Sequence, residues 1–162
     1  MNGVPRPASS ANVPCMTDRT ELPTSRDRLL PILLYDGLCG FCNGTVRFIL
    51  KRDARRRLFF APLQGSTARS ILSRHPELAD VDSLILVESA GAQERAYSRS
   101  EAVLRIVRYL GGAWPLVSVL RLAPAPIRNW AYDLFARHRY RMFGRYDACP
   151  LPPHEVRARF LP

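Results

Sequence analysis

A short apolar run, Ile32-Leu-Leu-Tyr35, breaks at Asp36-Gly37 and passes at once into Cys39-Gly-Phe-Cys42 and a segment of helical period. Asp-Gly is turn chemistry, because aspartate hydrogen-bonds nearby backbone and glycine accepts conformations other residues resist. Beyond it, Cys42, Val46, Ile49 and Leu50 fall at i, i+4, i+7 and i+8, which is one face of a helix. A buried strand therefore feeds, through a turn, a helix that opens with two cysteines. Everything else in the chain has to be arranged around that junction.

The first strand is expected over Leu29–Asp36, and the helix should fray near Arg55. Its last turns carry "KRDARRR", cations where the helix macrodipole is negative. Leu58-Phe-Phe-Ala-Pro62 reads as a second strand, and Ser66–Ser73 as a short helix with Ala68, Ile71 and Leu72 on one side. Ser83-Leu-Ile-Leu-Val-Glu88, a Ser-Ala-Gly-Ala turn and Glu94–Tyr97 read as a hairpin. Ser98-Arg-Ser-Glu101 fits a capping box. Ala102, Val103, Ile106, Val107 and Leu110 then continue as an amphipathic helix ending at Gly111-Gly112. The order β-α-β-α-β-β-α is that of an α/β, thioredoxin-like fold.

Residues 1–28, rich in Pro, Ser, Thr and Asn without apolar period, read as a disordered N-terminal extension. Residues 29–112 form the expected core, and 113–162 a C-terminal helical extension packed on it. Within that extension Pro126 suits a helix start, Ile127, Trp130, Ala131 and Leu134 keep helical spacing, and Gly144 suits a stop. Phe160 and Leu161 are expected to pack a short closing helix. At 162 residues, 47% of them hydrophobic, the chain fits one domain with a sizeable core.

The formal net charge is +10. Nearly all of it is arginine, with Lys51 the one lysine, so the charge says more about codon bias than about a specific anionic partner. Neither an export signal nor a run of roughly 20 apolar residues able to span a membrane is evident. The expected setting is cytoplasmic, where thiols stay reduced. There a C-x-x-C pair is catalytic or metal-binding rather than a structural staple.

At a strand-to-helix junction the first cysteine lies near the helix N-terminus. Unpaired amides and the positive dipole end favour a thiolate there. Such placement lowers a thiol pKa from about 8.5 to roughly 3.5–7.5, and the thiolate is the nucleophile. Cys39 takes that role. Cys42 shares the face of Val46 and Ile49, so it is shielded, as suits a thiol that resolves the mixed disulfide formed at Cys39. Asp36 has two readings of equal weight: a proton carrier for Cys42, or a brace that holds the turn through backbone amides. Gly37 and Gly40 supply backbone freedom, and Phe41 shapes the surface offered to a partner.

Three weaker readings stand beside this one. Cys39, Cys42, Cys149 and His154 make a formal Cys₃His zinc set, although there is no second C-x-x-C. "ARHRYRMFGRY" interleaves arginines with Tyr140, Phe143 and Tyr146, a composition found where bases stack. On a helix, however, Tyr140 and Phe143 more often pack inward, and nucleic acid is not expected as a partner. The third is a non-catalytic module that keeps the fold and binds an anion through its basic surface. A Ser/His/Asp hydrolase is weaker still, with no G-x-S-x-G elbow and no partner pattern for the three histidines. Cys15 reads as incidental, and Cys149 as a small buried residue or a third redox thiol.

Taken together, "LYDGLCGFCNGTVRFILKRD", "SLILVE" with "YSRSEAVLRIVRYLGGAWPL", and "ARHRYRMFGRYDACPLPPHEVRARFL" resemble the DCC family of predicted thiol–disulfide oxidoreductases. The family is named for an Asp-Cys-Cys motif, here Asp36, Cys39 and Cys42. The resemblance spans about Leu33 to Leu161. It implies a thioredoxin-like fold and a cysteine-pair redox site, with electrons passing through the dithiol and no organic cofactor. The implied substrate carries a thiol or disulfide, on a protein or a small molecule. One departure from thioredoxins stands out: the place of their cis-proline is Val81-Asp82-Ser83 here.

Overall fold

The computed structural model describes residues 31–78, 84–90, 93–147, 149 and 152–162. The expected N-terminal extension and Val81-Asp82-Ser83 lie outside the described residues.

Four strands form one sheet. β1 (Ile32–Tyr35) is parallel to β2 (Phe59–Pro62) and antiparallel to β3 (Ile85–Ala90), which pairs antiparallel with β4 (Gln93–Ser98). The order across the sheet is β2-β1-β3-β4. Between the strands run α1 (Gly40–Arg52) and α2 (Ser66–Leu72), and α3 (Arg99–Ile106) follows the hairpin. This is the expected thioredoxin-like arrangement, with β-branched and aromatic residues where a pleated, half-buried surface favours them.

Strand alternation divides the core between the two faces of the sheet. Leu33, Tyr35, Phe60 and Leu86 pack with Val46 and Ile49 of α1 and with Ala102 and Ile106 of α3. Leu34, Ala61, Ile85 and Val87 pack with Ala68 and Ile71 of α2. Fully burying such a side chain is worth roughly 1.5–3 kcal/mol. An exposed ion pair such as Arg99–Asp133 contributes about 0–1 kcal/mol. Apolar burial therefore sets how the layers stack, and the ion pairs trim it.

Two local expectations at α3 change. Ser98 is the N-cap residue, but its side chain makes no capping hydrogen bond. Glu101, the other half of the expected box, is drawn away by Arg105 and Arg121 at 2.9 and 2.8 Å. The α-helix also stops at Ile106, four positions before Leu110. Tyr109 and Leu110 donate to Ile106 and Val107 in i→i−3 bonds, which tighten the chain into turns while Val107 and Leu110 stay buried.

After the 3₁₀ segment Trp114–Leu122 comes α4 (Ala125–Phe143), ended as expected by Gly144 at φ 73°. The face it buries is not the one its apolar spacing suggested. Ile127, Trp130 and Leu134 are 60%, 67% and 45% exposed. The packed side meets α3 through polar groups: Asp133 with Arg99, Asn129 with Ser100, and Arg128 with Glu101. Further along, the same side presents Phe135, Arg139 and Tyr140 to the start of α1.

The chain end closes against β2. Phe160 stacks on Phe60 at 5.3 Å and meets Tyr35 edge-on, while Leu161 donates to the Phe60 carbonyl at 2.8 Å. Arg159 is buried and ion-paired with Asp53, and it also donates to the Leu58 carbonyl. Asp53 accepts from the Leu58 and Arg57 amides as well. One buried carboxylate thus ties the end of α1, the start of β2 and the C-terminal tail together.

Candidate active site

Cys39 is the N-cap residue of α1, in extended conformation, and its Sγ accepts the Cys42 amide at 3.4 Å. That is the orphan-donor geometry expected of a thiolate at a helix start. Both Cys39 and Cys42 are free thiols, and both are buried. Burial pushes the Cys42 thiol up, and the hydrogen bond and negative charge of Cys39 push it further. The Arg139 guanidinium acts in the opposite direction, and Asp36 adds to the rise. Tyr35 shares this environment: burial first, then the charge of Cys42, raises its phenol to about 12.

Asp36 is 5% exposed and nearly saturated with donors. Its Oδ1 accepts from the Leu38 amide at 2.9 Å and from Gln64 Nε2 at 3.0 Å. Its Oδ2 accepts from the Tyr140 hydroxyl and lies 3.6 Å from Arg139 Nη2. Its carbonyl also accepts the Cys39 amide. Asn43 completes the turn, donating from Nδ2 to the carbonyls of Gly37 (2.7 Å) and Cys39 (3.0 Å).

Arg139 is 3% exposed, donates to the Tyr140 hydroxyl at 3.0 Å and stays cationic. Burial works against its charge, but the bond and charge of Tyr140 and the charges of Cys42 and Cys39 raise its pKa. Burial and the bond to Asp36 raise the Tyr140 phenol, opposed by Arg139.

The C-terminal extension crosses this turn. Gly40 donates its amide to the Gly144 carbonyl at 3.2 Å, and Tyr146 donates to the Leu38 carbonyl at 2.8 Å. Cys39 and Arg145 stand opposite each other in an antiparallel bridge. A Cβ on Gly40 would lie 2.3 Å from the Phe143 carbonyl oxygen. Close approach of backbone, rather than conformational freedom, is what requires glycine there. Phe41 packs between Phe135 and Phe143, at 4.7 and 5.1 Å, so it anchors the crossing segment instead of facing a partner. Cys39 is consequently 0% exposed. A nucleophile would normally be the accessible member of such a pair.

Asp36, Cys39 and Cys42 are therefore brought together, while the formal zinc set is not. Among the described residues no group of three or more His, Cys, Asp or Glu is placed to hold a metal ion, and Cys149 is held in a disulfide. Two of the three aromatics of "ARHRYRMFGRY" are engaged within the chain, Tyr140 with Asp36 and Phe143 with Phe41. Among the described residues no helix is long and apolar enough to cross a membrane.

Four residues hold the turn without having been read as part of the cysteine site: Asn43 and Gln64 carried no functional reading in the sequence, and Arg139 and Tyr140 belonged only to the base-stacking stretch. A stripe at Arg128, Tyr132, Phe135 and Arg139 does keep helical spacing, but an arginine at its end reads as solvent-facing among so many others. Gln64 shows no signal at all, because its partners come from a loop distant in sequence.

A thioredoxin-like sheet whose second layer begins at two adjacent free cysteines defines a thioredoxin-like protein with a C-x-x-C pair. The chain belongs to the DCC1-like thiol-disulfide oxidoreductase family, which it matches over residues 33–145. It is 36% identical over 132 residues to the uncharacterized protein YuxK of Bacillus subtilis, covering 81% of this chain and 93% of that one. It is 40% identical over 123 residues to the chloroplastic DCC family protein At1g52590 of Arabidopsis thaliana, covering 75% of this chain and 69% of that one. No solved structure is a significant match. Family membership supports a thiol–disulfide oxidoreductase role.

Proposed function

We propose that the protein exchanges its Cys39–Cys42 dithiol for a substrate disulfide. Cys39 thiolate attacks one sulfur of the substrate, forming a mixed disulfide and releasing the other sulfur as a thiolate. Cys42, once deprotonated, attacks Cys39 Sγ and releases the second substrate thiol. The protein loses two electrons and two protons to a disulfide, and the substrate gains them as two thiols. The same steps reversed oxidise a dithiol.

The observation that carries this reading is Cys39 Sγ at the helix N-cap, accepting the amide of a second free cysteine. A Cys39 sulfur set against the helix-start amides and a shielded Cys42 thiol that burial pushes up are the division of labour such an exchange needs. Asp36 serves as a brace: with four side-chain and backbone donors around its carboxylate, it holds the turn and Tyr140 rather than shuttling a proton.

A redox titration of the whole protein with mass readout tests the proposal. It expects a reversible loss of two hydrogens mapped to Cys39 and Cys42, and loss of disulfide-reductase turnover in Cys39→Ser. Unchanged turnover in that variant would refute it.

A further inference from the structure

The segment Phe143–Tyr146 pairs with the cysteine turn as a strand would, and the register of that pairing has chemical meaning. Gly40 N–H donates to the Gly144 carbonyl, and Tyr146 N–H donates to the Leu38 carbonyl. The two bonds flank Cys39 and Arg145, which therefore form a non-hydrogen-bonded antiparallel pair. In such a pair the Cα atoms lie about 4.5 Å apart and the side chains are closest. That separation falls within the roughly 4.4–6.8 Å that a disulfide spans.

The backbone of Cys39 itself is already committed. Its amide donates to the Asp36 carbonyl, and its carbonyl accepts from Asn43. Leu38 C=O and Gly40 N–H are the groups that turn toward the crossing segment, and Gly40 N–H is a helix-start donor with no intrahelical acceptor. The crossing segment lies at the surface: Phe143 and Tyr146 are 47% and 42% exposed.

Resting on the dithiol reading above, the geometry points to an extended polypeptide carrying a cysteine as the substrate class. Its main chain takes the place of residues 144–146, with the substrate cysteine where Arg145 now stands. The carbonyl of the residue before that cysteine accepts from Gly40, and the amide of the residue after it donates to Leu38. Its sulfur then lies beside Cys39 Sγ, placed for the mixed disulfide. The protein's own segment is an internal occupant of the docking edge that the substrate displaces, which is why Cys39 is closed in this structure. A small disulfide has no backbone with which to make the two bonds and gains nothing from that edge.

The test uses the full chain carrying Cys42→Ser and a short unstructured peptide. The peptide's single central cysteine is carried as a mixed disulfide with 5-thio-2-nitrobenzoate. Attack by Cys39 forms the Cys39–peptide disulfide and releases thionitrobenzoate with the electron pair, read by absorbance and by mass mapping to Cys39. N-methylation of the residue after the peptide cysteine removes the donor to Leu38 and slows trapping by about tenfold. N-methylation of the residue before it leaves both bonds intact and the rate unchanged. Tyr146→Pro, which removes the internal competitor's donor, speeds trapping of the unmodified peptide. Equal rates for the two N-methylated peptides would overturn the inference whatever Tyr146→Pro does. If Cys39 reacts with a small aromatic disulfide but shows no such register preference, the docking edge is wrong and the dithiol reading stands. If Cys39 reacts with no disulfide, both fail.

Discussion

Tyr140 donates its phenolic hydrogen to Asp36 across a separation of 104 residues, joining the last third of the chain to the strand end that precedes the cysteines. Arg139, next to it in sequence, lies against the same carboxylate oxygen. The aspartate of the family's motif is thus as much a contact of the C-terminal helix as of the cysteine turn.

Tyr140→Phe removes that bond and keeps the ring. A hydrogen bond to a charged acceptor is worth about 1.5–3 kcal/mol, so chemical denaturation should show a loss of that order. Cys39 should also become easier to reach. Alkylation of the native variant by iodoacetamide should run several-fold faster at Cys39, and an unchanged labelling rate would mean Tyr140 does not hold the cover.

The resolving step should be alkaline-limited. Burial, the largest cause of the raised Cys42 thiol, persists when Cys39 is held in the mixed disulfide and its charge is gone, so at neutral pH most of Cys42 is protonated and unreactive. Release of a mixed disulfide from Cys39 should accelerate close to tenfold per pH unit through the neutral range, with no plateau there. Stopped-flow measurement of that release gives the profile. Arg139→Met removes a charge that lowers the Cys42 pKa, so its curve should lie further to the alkaline side. A plateau below neutral pH in the native protein would contradict the buried, raised thiol.

Arg159 and Asp53 make the third case. Arg159→Ala leaves a buried carboxylate without its cation, and breaking such a pair costs about 3–5 kcal/mol. Urea unfolding should show that loss. Asp53→Asn together with Arg159→Met should recover a large part of it, because the unpaired charge is gone. A double variant no better than Arg159→Ala would point to the arginine's bond to the Leu58 carbonyl as the larger contribution.

The parts of the fold that came through in the sequence are those governed by short-range physics. Ile32–Tyr35, the α1 face of Cys42, Val46 and Ile49, and the hairpin of β3 and β4 each depend on period or turn chemistry within a few residues. Cys39 at the helix start was legible for the same reason. The failures share a cause too. The Ser98–Glu101 box was lost to Arg105 and Arg121, and Arg121 lies beyond any local window. On α4 the apolar stripe at Ile127, Trp130 and Leu134 pointed the wrong way, because Arg99, Ser100 and Glu101 supply polar partners that outcompete it for the packed side. The burial of Arg139 and the closure of Cys39 depend on which face of α4 meets α1, which is a tertiary fact.

Gly40 carries a consequence for anyone who would retune this protein. The two residues between paired cysteines are the customary place to shift a reduction potential by exchange with another oxidoreductase. Here the first of them is hemmed in by the Phe143 carbonyl, so any side chain introduced there pries the cover loose as it alters the pair. A potential measured on such a chimera would report two changes at once. Separating them means measuring the alkylation rate of Cys39 beside the potential, because Phe41, the other residue between the cysteines, anchors the same cover.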